Sequence, residues 1–495
     1  MCNLLDVRTN DKVGRYANVS QDVRAGESVL HELPFAIGPK LDSPLCCLGC
    51  YTYLEEATLC ETCRWPVCGA DCSQKTWHKD YECRIFADSK ISFNPDAEPG
   101  PQLECIPILR ALLEKERNPG RWEAEVTPMV DHNKLRMANE KLWEAEGTNI
   151  VNFLRERCRL ADRFSEDLIR RICGIFEVNA FEVVSTNPMA VSVRGLYPKG
   201  GIPSHSCVSN TTYSILPDNY MMVMRATVDL KKGSEILCTY TTILDPTMIR
   251  RWYLKRAKYF DCDCARCKDP KELGTHLSSI KCPACDNGLI LSSDPLDKSA
   301  EWKCDHCDKT LPGETVQRLY FAIRTDLSQL EELEIGPIKL EMTEKVLRKY
   351  RSSLHPRHGF NLALMHSLVD LYGKVDGYTV DMLPDILLER KAEFAQNILD
   401  ALDIVKPGMT RMRGRILFEQ HVCYLMMART QLQLRVVTLE KFKEQINKVI
   451  AMLEETARIL EVEPEGSADR MMAQSARGSI AELQASLDNM TELPE

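Results

Sequence analysis

No stretch of this 495-residue chain approaches the roughly 18 consecutive apolar residues of a membrane-crossing helix, so no helical span and no membrane partner are expected. The first residues, MCNLLDVRTNDKVGRY, lack a basic segment followed by an apolar one, and no secretory signal is expected there. Positive charge is not in surplus. Lys and Arg number 63 against 72 Asp and Glu, and a formal net charge of −9 argues against a broadly basic nucleic-acid binder. A local basic groove remains compatible with that balance, so nucleic acid stays open as a partner. Hydrophobic residues make up 44% and charged residues 27%, ordinary for a soluble globular chain, and the length calls for two to four domains.

Cysteine, by contrast, is abundant: there are 22, mostly in tight pairs. Without a secretory signal a disulfide framework is not expected, and paired spacing points to zinc. Residues 46–83 carry CLGC, CETC, CGADC and HKDYEC. Eight ligands make two tetrahedral sites, and their interleaving suggests a cross-brace. Cys47, Cys50, Cys68 and Cys72 would take one ion, and Cys60, Cys63, His78 and Cys83 the other. Cys46 rivals Cys47, but only Cys47 has the two-residue gap to Cys50. So short a segment has little core of its own and is expected to fold on its metal. KCPAC and WKCDHC form two knuckles about twenty residues apart, a zinc-ribbon pattern using Cys282, Cys285, Cys304 and Cys307. LGTHL and NGLILSS are read as its strands. Cys262, Cys264 and Cys267 leave a third kind of site one ligand short, and the unpartnered candidate is Cys207 in SHSCVSN. Four structural zinc ions are expected. The remaining cysteines (Cys2, Cys46, Cys105, Cys158, Cys173, Cys238 and Cys423) read as small hydrophobes.

Between these clusters the patterning changes several times. Residues 1–45 read as short strands, with Gly26 in the turn of VRAGESVLHELPF, and ISFNPDAEPGPQLE reads as a linker. Helical periodicity runs through 103–175, and β-type patterning through 176–240 in AFEVVSTN, AVSVRGLYP, NTTYSILP, YMMVMRATV and EILCTYT. TMIRRWYLKRAKYF reads as an amphipathic helix, and its basic run at 250–260 as a solvated face. From about 313 onward every long segment looks helical, and helix pairs in series suggest a TPR-like solenoid. The fold class expected is α+β and multidomain.

The order N-A-F, then H-S-C-x-x-N, then C-T-Y, then C-x-C-x2-C resembles the SET domain of protein-lysine methyltransferases. With the cross-brace inserted near its start and a helical tail, the chain resembles the SET-and-MYND (SMYD) family. The added ribbon suggests the SmydA-type branch. The resemblance implies a split SET domain (1–45 and 176–258), a MYND finger (46–90), a linker and helical insert (91–175), a post-SET zinc motif (259–275), a zinc ribbon (276–312) and a TPR-like domain (313–495). It implies S-adenosylmethionine as cofactor, held by Gly14, Arg15, Tyr16, Asn179, Ala180, Phe181, Ser204, His205, Tyr240 and Phe260, with Tyr240 as the active-site tyrosine. It also implies that Cys207 is the fourth post-SET ligand. The sequence departs from the family pattern at Tyr16, where a third glycine is usual, at Ser204 in place of Asn, and at Val208-Ser209 in place of Asp-Pro.

Methyl transfer from a sulfonium needs alignment and a channel that keeps the acceptor lysine neutral, and burial of the amine favours that form. A tyrosine with a pKa near 10 is a poor base at neutral pH, so Tyr240 is expected to orient rather than deprotonate. Two readings follow from the resemblance. One is a lysine methyltransferase acting on histone or other proteins in transcriptional regulation. The other is a catalytically weak adaptor or corepressor whose finger binds proline-rich peptides, with Trp65 and Trp77 lining the groove or packing the core. A monomer, in nucleus or cytoplasm, is expected.

Overall fold

The computed structural model describes residues 2–11, 13–184 and 189–490. The end of AFEVVSTN lies outside the described residues. The β-rich part is assembled from small sheets. Strands β1 (Leu5–Asn10) and β2 (Gly14–Val19) form an antiparallel hairpin. Strands β3 (Ser28–Glu32), β4 (Ala36–Gly38), β5 (Phe181–Val183), β6 (Val193–Leu196), β7 (Ser204–His205), β8 (Thr211–Ile215), β9 (Met222–Ala226) and β10 (Leu237–Cys238) follow. Their orders are β3-β9-β8, β4-β6-β5 and a short parallel β10-β7 pair. Thus β3 and β4, early in the chain, pair with strands some 160 residues or more later. A single core unites them, built on Ala17, Val19, Leu30, Ile37, Val193, Tyr197, Met222, Met224 and Ile236.

The intervening segment is helical, and α1 (Cys105–Arg117) and α2 (Glu166–Asn179) are its main helices. The Ser165 hydroxyl caps α2 by accepting from Leu168 N. This helix runs four residues beyond the expected boundary at 175, so Asn179 ends a helix rather than opening a strand. The cysteine-rich segment shares one core with these helices through Leu48, Trp65, Tyr81, Phe86, Leu109 and Ile172. It therefore borrows apolar support that its own sequence does not supply.

Helix α3 (Thr247–Tyr253) leads into Cys262, Cys264 and Cys267. The ribbon follows as a meander of β11 (Ile280–Lys281), β12 (Leu289–Ser292), β13 (Trp302–Cys304) and β14 (Thr310–Leu311). NGLILSS contains β12 as expected. LGTHL does not form a strand: Leu273 and Gly274 have φ of 60° and 79°, and the chain turns there. Helices α4 (Gly313–Glu331), α5 (Pro337–Tyr350), α6 (Gly359–Leu371), α7 (Asp385–Val405), α8 (Arg411–Gln433), α9 (Leu439–Leu460) and α10 (Ala468–Asn489) then pack each on the next. No helix among the described residues is long and apolar enough to cross a membrane.

Candidate functional site

The folded chain brings the cysteines together in four sets. They are Cys47, Cys50, Cys68 and Cys72; Cys60, Cys63, His78 and Cys83; Cys207, Cys262, Cys264 and Cys267; and Cys282, Cys285, Cys304 and Cys307. Within each set the donor atoms lie within 4.8 Å of one another. Zinc–sulfur bonds of roughly 2.3 Å give a tetrahedron with edges of about 3.8 Å. The measured separations match: Cys50 to Cys68 is 3.5 Å, Cys60 to Cys83 is 3.9 Å, and Cys207 to Cys262 is 4.0 Å. Four soft donors per set fit Zn2+ in closed, structural sites. Cys46 stays out, buried and bridged through its backbone to Tyr53.

Two of these sets are backed by buried charge that the sequence did not signal. His78 faces Cys63 through Nε2 at 3.5 Å, and its Nδ1 lies 3.0 Å from Glu82 Oε1. Such a carboxylate orients a ligating imidazole. Arg110, fully buried, donates to both Glu82 oxygens at 2.8 and 2.6 Å and to Ile37 O and Leu48 O. Burial alone would raise the Glu82 carboxyl, but the Arg110 charge and hydrogen bonds hold it below the ordinary value.

The other is the Cys207 set. Arg250 Nε donates to Cys207 Sγ at 3.2 Å and Nη2 to Cys267 Sγ at 3.5 Å. Its Nη1 donates to Glu272 Oε2 at 2.7 Å, and Arg266 Nε reaches the same oxygen at 2.9 Å. Burial pushes the Glu272 carboxyl up, but the two guanidiniums bring it down to about 2. The expected solvated face at 250–260 is therefore corrected at Arg250, which is wholly buried. The thiolate set carries negative charge that a buried guanidinium compensates. Trp65 also turns inward: it stacks on Phe86 at 4.1 Å and is 1% exposed, so it lines no peptide groove. Trp77, half-buried, stacks on Tyr81.

Of the expected cofactor residues, Ser204, His205, Tyr240 and Phe260 gather at the β7–β10 pair, whereas Asn179 and Phe181 make their contacts elsewhere. Ser204 and His205 lie on β7, opposite Leu237 and Cys238. Strand β2 runs along the other side, where Ile236 N donates to Ala17 O at 2.8 Å, bringing Arg15 and Tyr16 toward that pair. Gly14 opens β2 with φ of 72°, a left-handed value suited to glycine. Tyr240 follows β10. Its hydroxyl donates to Pro203 O at 2.6 Å, and burial holds its pKa above the ordinary tyrosine value. His205 Nδ1 accepts from Tyr240 N at 3.0 Å, which leaves the Nε2 proton for Cys207 Sγ at 3.4 Å. This ring therefore ties the tyrosine to the metal set through both of its nitrogens. The Tyr240 and Phe260 rings lie 5.2 and 5.8 Å from that of His205, and both pack on the Cys207 cluster. Asn179 Nδ2 donates to Val130 O and Ile175 O, both at 3.0 Å, and Phe181 packs edge-on against Tyr213. Two buried hydroxyls here, Ser204 Oγ and Thr241 Oγ1, have no hydrogen-bond partner among the described residues. Buried polar atoms are ordinarily satisfied, so this pair fits contact with a polar ligand.

One further support comes from far along the chain. Lys406, buried after α7, donates to Ser209 Oγ and, at 2.6 Å, to Thr211 O. Met409 N donates to Thr227 O at 2.8 Å, and a Cβ on Gly408 would come within 1.9 Å of that oxygen. The helical tail thus grips the loop that carries Cys207.

Four Cys/His sets that fit structural zinc, on a β-rich domain with helical insert and tail, define a zinc-binding multidomain protein, and one set staples the loop that pairs beside Tyr240. No protein-family model matches the chain. It is similar to the SET domain-containing protein SmydA-8, isoform A, of Drosophila melanogaster, with 29% identity over 331 residues, 64% of this chain and 68% of that protein. It is 25% identical over 450 residues to histone-lysine N-methyltransferase ASHR1 of Arabidopsis thaliana, covering 84% of this chain and 86% of the relative. Against human histone-lysine N-methyltransferase SMYD3 the identity is 27% over 259 residues, 50% of this chain and 57% of that one. A solved SET domain of LSMT bound to lysine and AdoHcy aligns with 98% of this chain and 88% of its own at 10% identity and a TM-score of 0.32, too slight a likeness to argue from. The chain is thus similar to proteins of the SMYD family, SmydA-8 among them.

Proposed function

We propose that the chain is an S-adenosylmethionine-dependent protein-lysine N-methyltransferase acting on histone or other proteins in transcriptional regulation. The observation that carries this reading is the pair of buried hydroxyls Ser204 Oγ, on β7, and Thr241 Oγ1, next in the chain to Tyr240, without a hydrogen-bond partner among the described residues, at the motif where the resemblance places the cofactor. S-adenosylmethionine, when bound, supplies a methyl group on an electrophilic sulfonium. Gly14–Tyr16, Asn179–Phe181, Ser204, His205, Tyr240 and Phe260 would hold it. Ser204, although shorter than asparagine, keeps a free hydroxyl for the task. Tyr240, with its proton held firmly and directed at Pro203 O, orients the acceptor and takes no proton from it. Phe260, backed by the zinc cluster, supplies an apolar wall beside the tyrosine. The likeness to SmydA-8 and to relatives named histone-lysine methyltransferases supports this reading.

We further propose that residues 46–90 are a MYND finger and that the serial helix packing after 313 is a TPR-like domain. The interleaved ligand sets support the first and the sequential contacts of α4–α10 the second. Calorimetry with S-adenosylmethionine or S-adenosylhomocysteine tests the enzymatic reading. Saturable binding is expected, and no binding at millimolar ligand would refute it.

A further inference from the structure

We infer that Lys258 is a built-in competitor for the acceptor-lysine place beside Tyr240. This rests on the methyltransferase reading above. The basic run at 250–260 was expected to face solvent, and most of it does: Trp252, Tyr253, Lys255 and Arg256 are exposed. Lys258 is half-buried instead, with its amine 5.9 Å from the centre of the Tyr240 ring. The amine donates at 2.5 Å to Val178 O, the carbonyl immediately before Asn179. Its neighbour Lys255 pairs with Asp261 at 2.6 Å, whereas Lys258 has no carboxylate in ion-pair range among the described residues. Glu177, whose charge it senses, lies 3.9 Å from Arg194.

The backbone makes this placement durable. Leu254, one turn earlier, is fully buried against the Cys207 cluster, and Phe260, two residues later, packs on the same cluster. Tyr259 between them takes a left-handed φ of 62°, which turns the chain out of the helix. Lys258 is therefore presented from a segment anchored on both sides by the zinc set. Burial disfavours its charged form and lowers its pKa, the same influence a substrate lysine would meet there.

An incoming lysine brings an identical amine on an identical stem. Two such stems cannot pack on one face of Tyr240. Lys258 must swing from Val178 O before an acceptor docks, so it sets a threshold on which acceptors are admitted. It is a gating residue, and its removal acts on acceptor binding and not on cofactor binding.

The test uses the zinc-loaded full chain and two ligands measured by calorimetry. One is S-adenosylhomocysteine. The other is its analogue with nitrogen in place of sulfur, bearing a four-carbon arm that ends in a primary amine. The arm reports on the acceptor place without turnover. Wild type, Lys258→Met and Lys258→Gln should bind S-adenosylhomocysteine alike. The arm should improve affinity about tenfold more in both variants than in wild type, while Lys258→Arg should behave as wild type. An equal gain from the arm in all proteins, with S-adenosylhomocysteine binding intact, overturns the inference alone. Failure of every protein to bind S-adenosylhomocysteine overturns the methyltransferase reading and the inference with it. The melting temperature of each variant identifies one that has not folded, and the Met and Gln forms serve as independent replacements.

Discussion

Replacing Arg250 by Met isolates what a buried guanidinium does for a thiolate zinc site. In the native protein Arg250 donates to Cys207 and Cys267 Sγ, to Glu272 Oε2, to Asp245 O at 2.5 Å and to Thr247 Oγ1 at 2.9 Å. Met fills the volume and removes all five. Breaking a buried ion pair by deleting one partner typically costs about 3–5 kcal/mol. Arg266 still holds Glu272, so the lower end, about 3 kcal/mol, is expected. Loss of partners to metal ligands typically weakens metal binding by about 10–100-fold. A chain of several domains does not unfold in one step, so a global melt would blur this effect. The suitable assay is chelator-driven zinc release with cysteine alkylation mapped by peptide mass. In Arg250→Met, Cys207, Cys262, Cys264 and Cys267 should alkylate about 10–100-fold earlier than in wild type. Cys282, Cys285, Cys304 and Cys307 should keep their native rate. Adding Glu272→Met should recover part of the loss, because the uncompensated carboxylate goes with it. Unchanged alkylation at the Cys207 set, or equal acceleration at all four sets, would refute the reasoning.

Four further outcomes are expected. Metal analysis should return about four zinc ions per chain, and Cys207→Ser should lower the count by one with the ribbon set unaffected. Tyr240→Phe should reduce methylation of a protein substrate at least about tenfold while cofactor affinity changes less than about threefold, since the hydroxyl's partner is Pro203 O. His358 is wholly buried, accepts from Phe360 N at 3.2 Å and faces the Tyr320 hydroxyl at 3.0 Å, and burial lowers its pKa to about 3. The unfolded chain therefore takes up a proton below about pH 6.5 that the folded one refuses. Stability due to this group is present above that pH and falls by about 1.4 kcal/mol per pH unit as the medium acidifies toward 3. His358→Asn, which retains a capping side chain, should flatten the pH 7 to 5.5 slope measured by hydrogen exchange across α6, and an unchanged slope would count against the assignment. Gly408→Val should expose α8 to early proteolysis, because its Cβ has no room beside Thr227 O and φ is 83°.

The ligand sets could be read from spacing because short C-x-x-C units place both sulfurs locally, and only the pairing of units needed counting. The strands of 176–240 were legible from β-branched and aromatic alternation, and α7–α10 from long apolar periodicity. What the sequence hid was mostly charge turned inward. Arg250 reads as part of a solvated basic run, and nothing local marks Arg110 or Arg266 as a buried cation whose partner is a carboxylate or thiolate elsewhere in the chain. Glu82 lies 28 residues from Arg110, and Cys207 lies 43 from Arg250. LGTHL misled for a different reason: its apolar and threonine content suits a strand, but Leu273 and Gly274 sit in left-handed turns where content is secondary to φ. Trp65 was ambiguous by design of so small a finger, where one indole can serve a groove or a core. Its stacking on Phe86 assigns it to the core.

The loop Ser204–Thr211 shows why a reaction that needs no metal is surrounded by one. Methyl transfer depends on alignment, and misplacement of a reacting group by about 1 Å can cost about 100-fold. A loop of this length has too few apolar side chains to hold itself to that tolerance. Here it is held from three directions. Cys207 joins it to Cys262, Cys264 and Cys267, the parallel β7–β10 pairing binds it to the strand before Tyr240, and Lys406 binds it to the helical tail. His205 links the first two by taking the Tyr240 N–H on one nitrogen and facing Cys207 with the other. Zinc therefore substitutes for a core that the loop could not build, and Tyr240 is positioned through it. It follows that Cys207→Ser should disturb the two hydroxyls at Ser204 and Thr241 along with the metal, and that His205→Phe, which keeps the ring but neither nitrogen, should leave the zinc count at four while loosening Tyr240. Slower Tyr240 ring flipping in that variant than in wild type, measured by NMR line shape, would contradict this linkage.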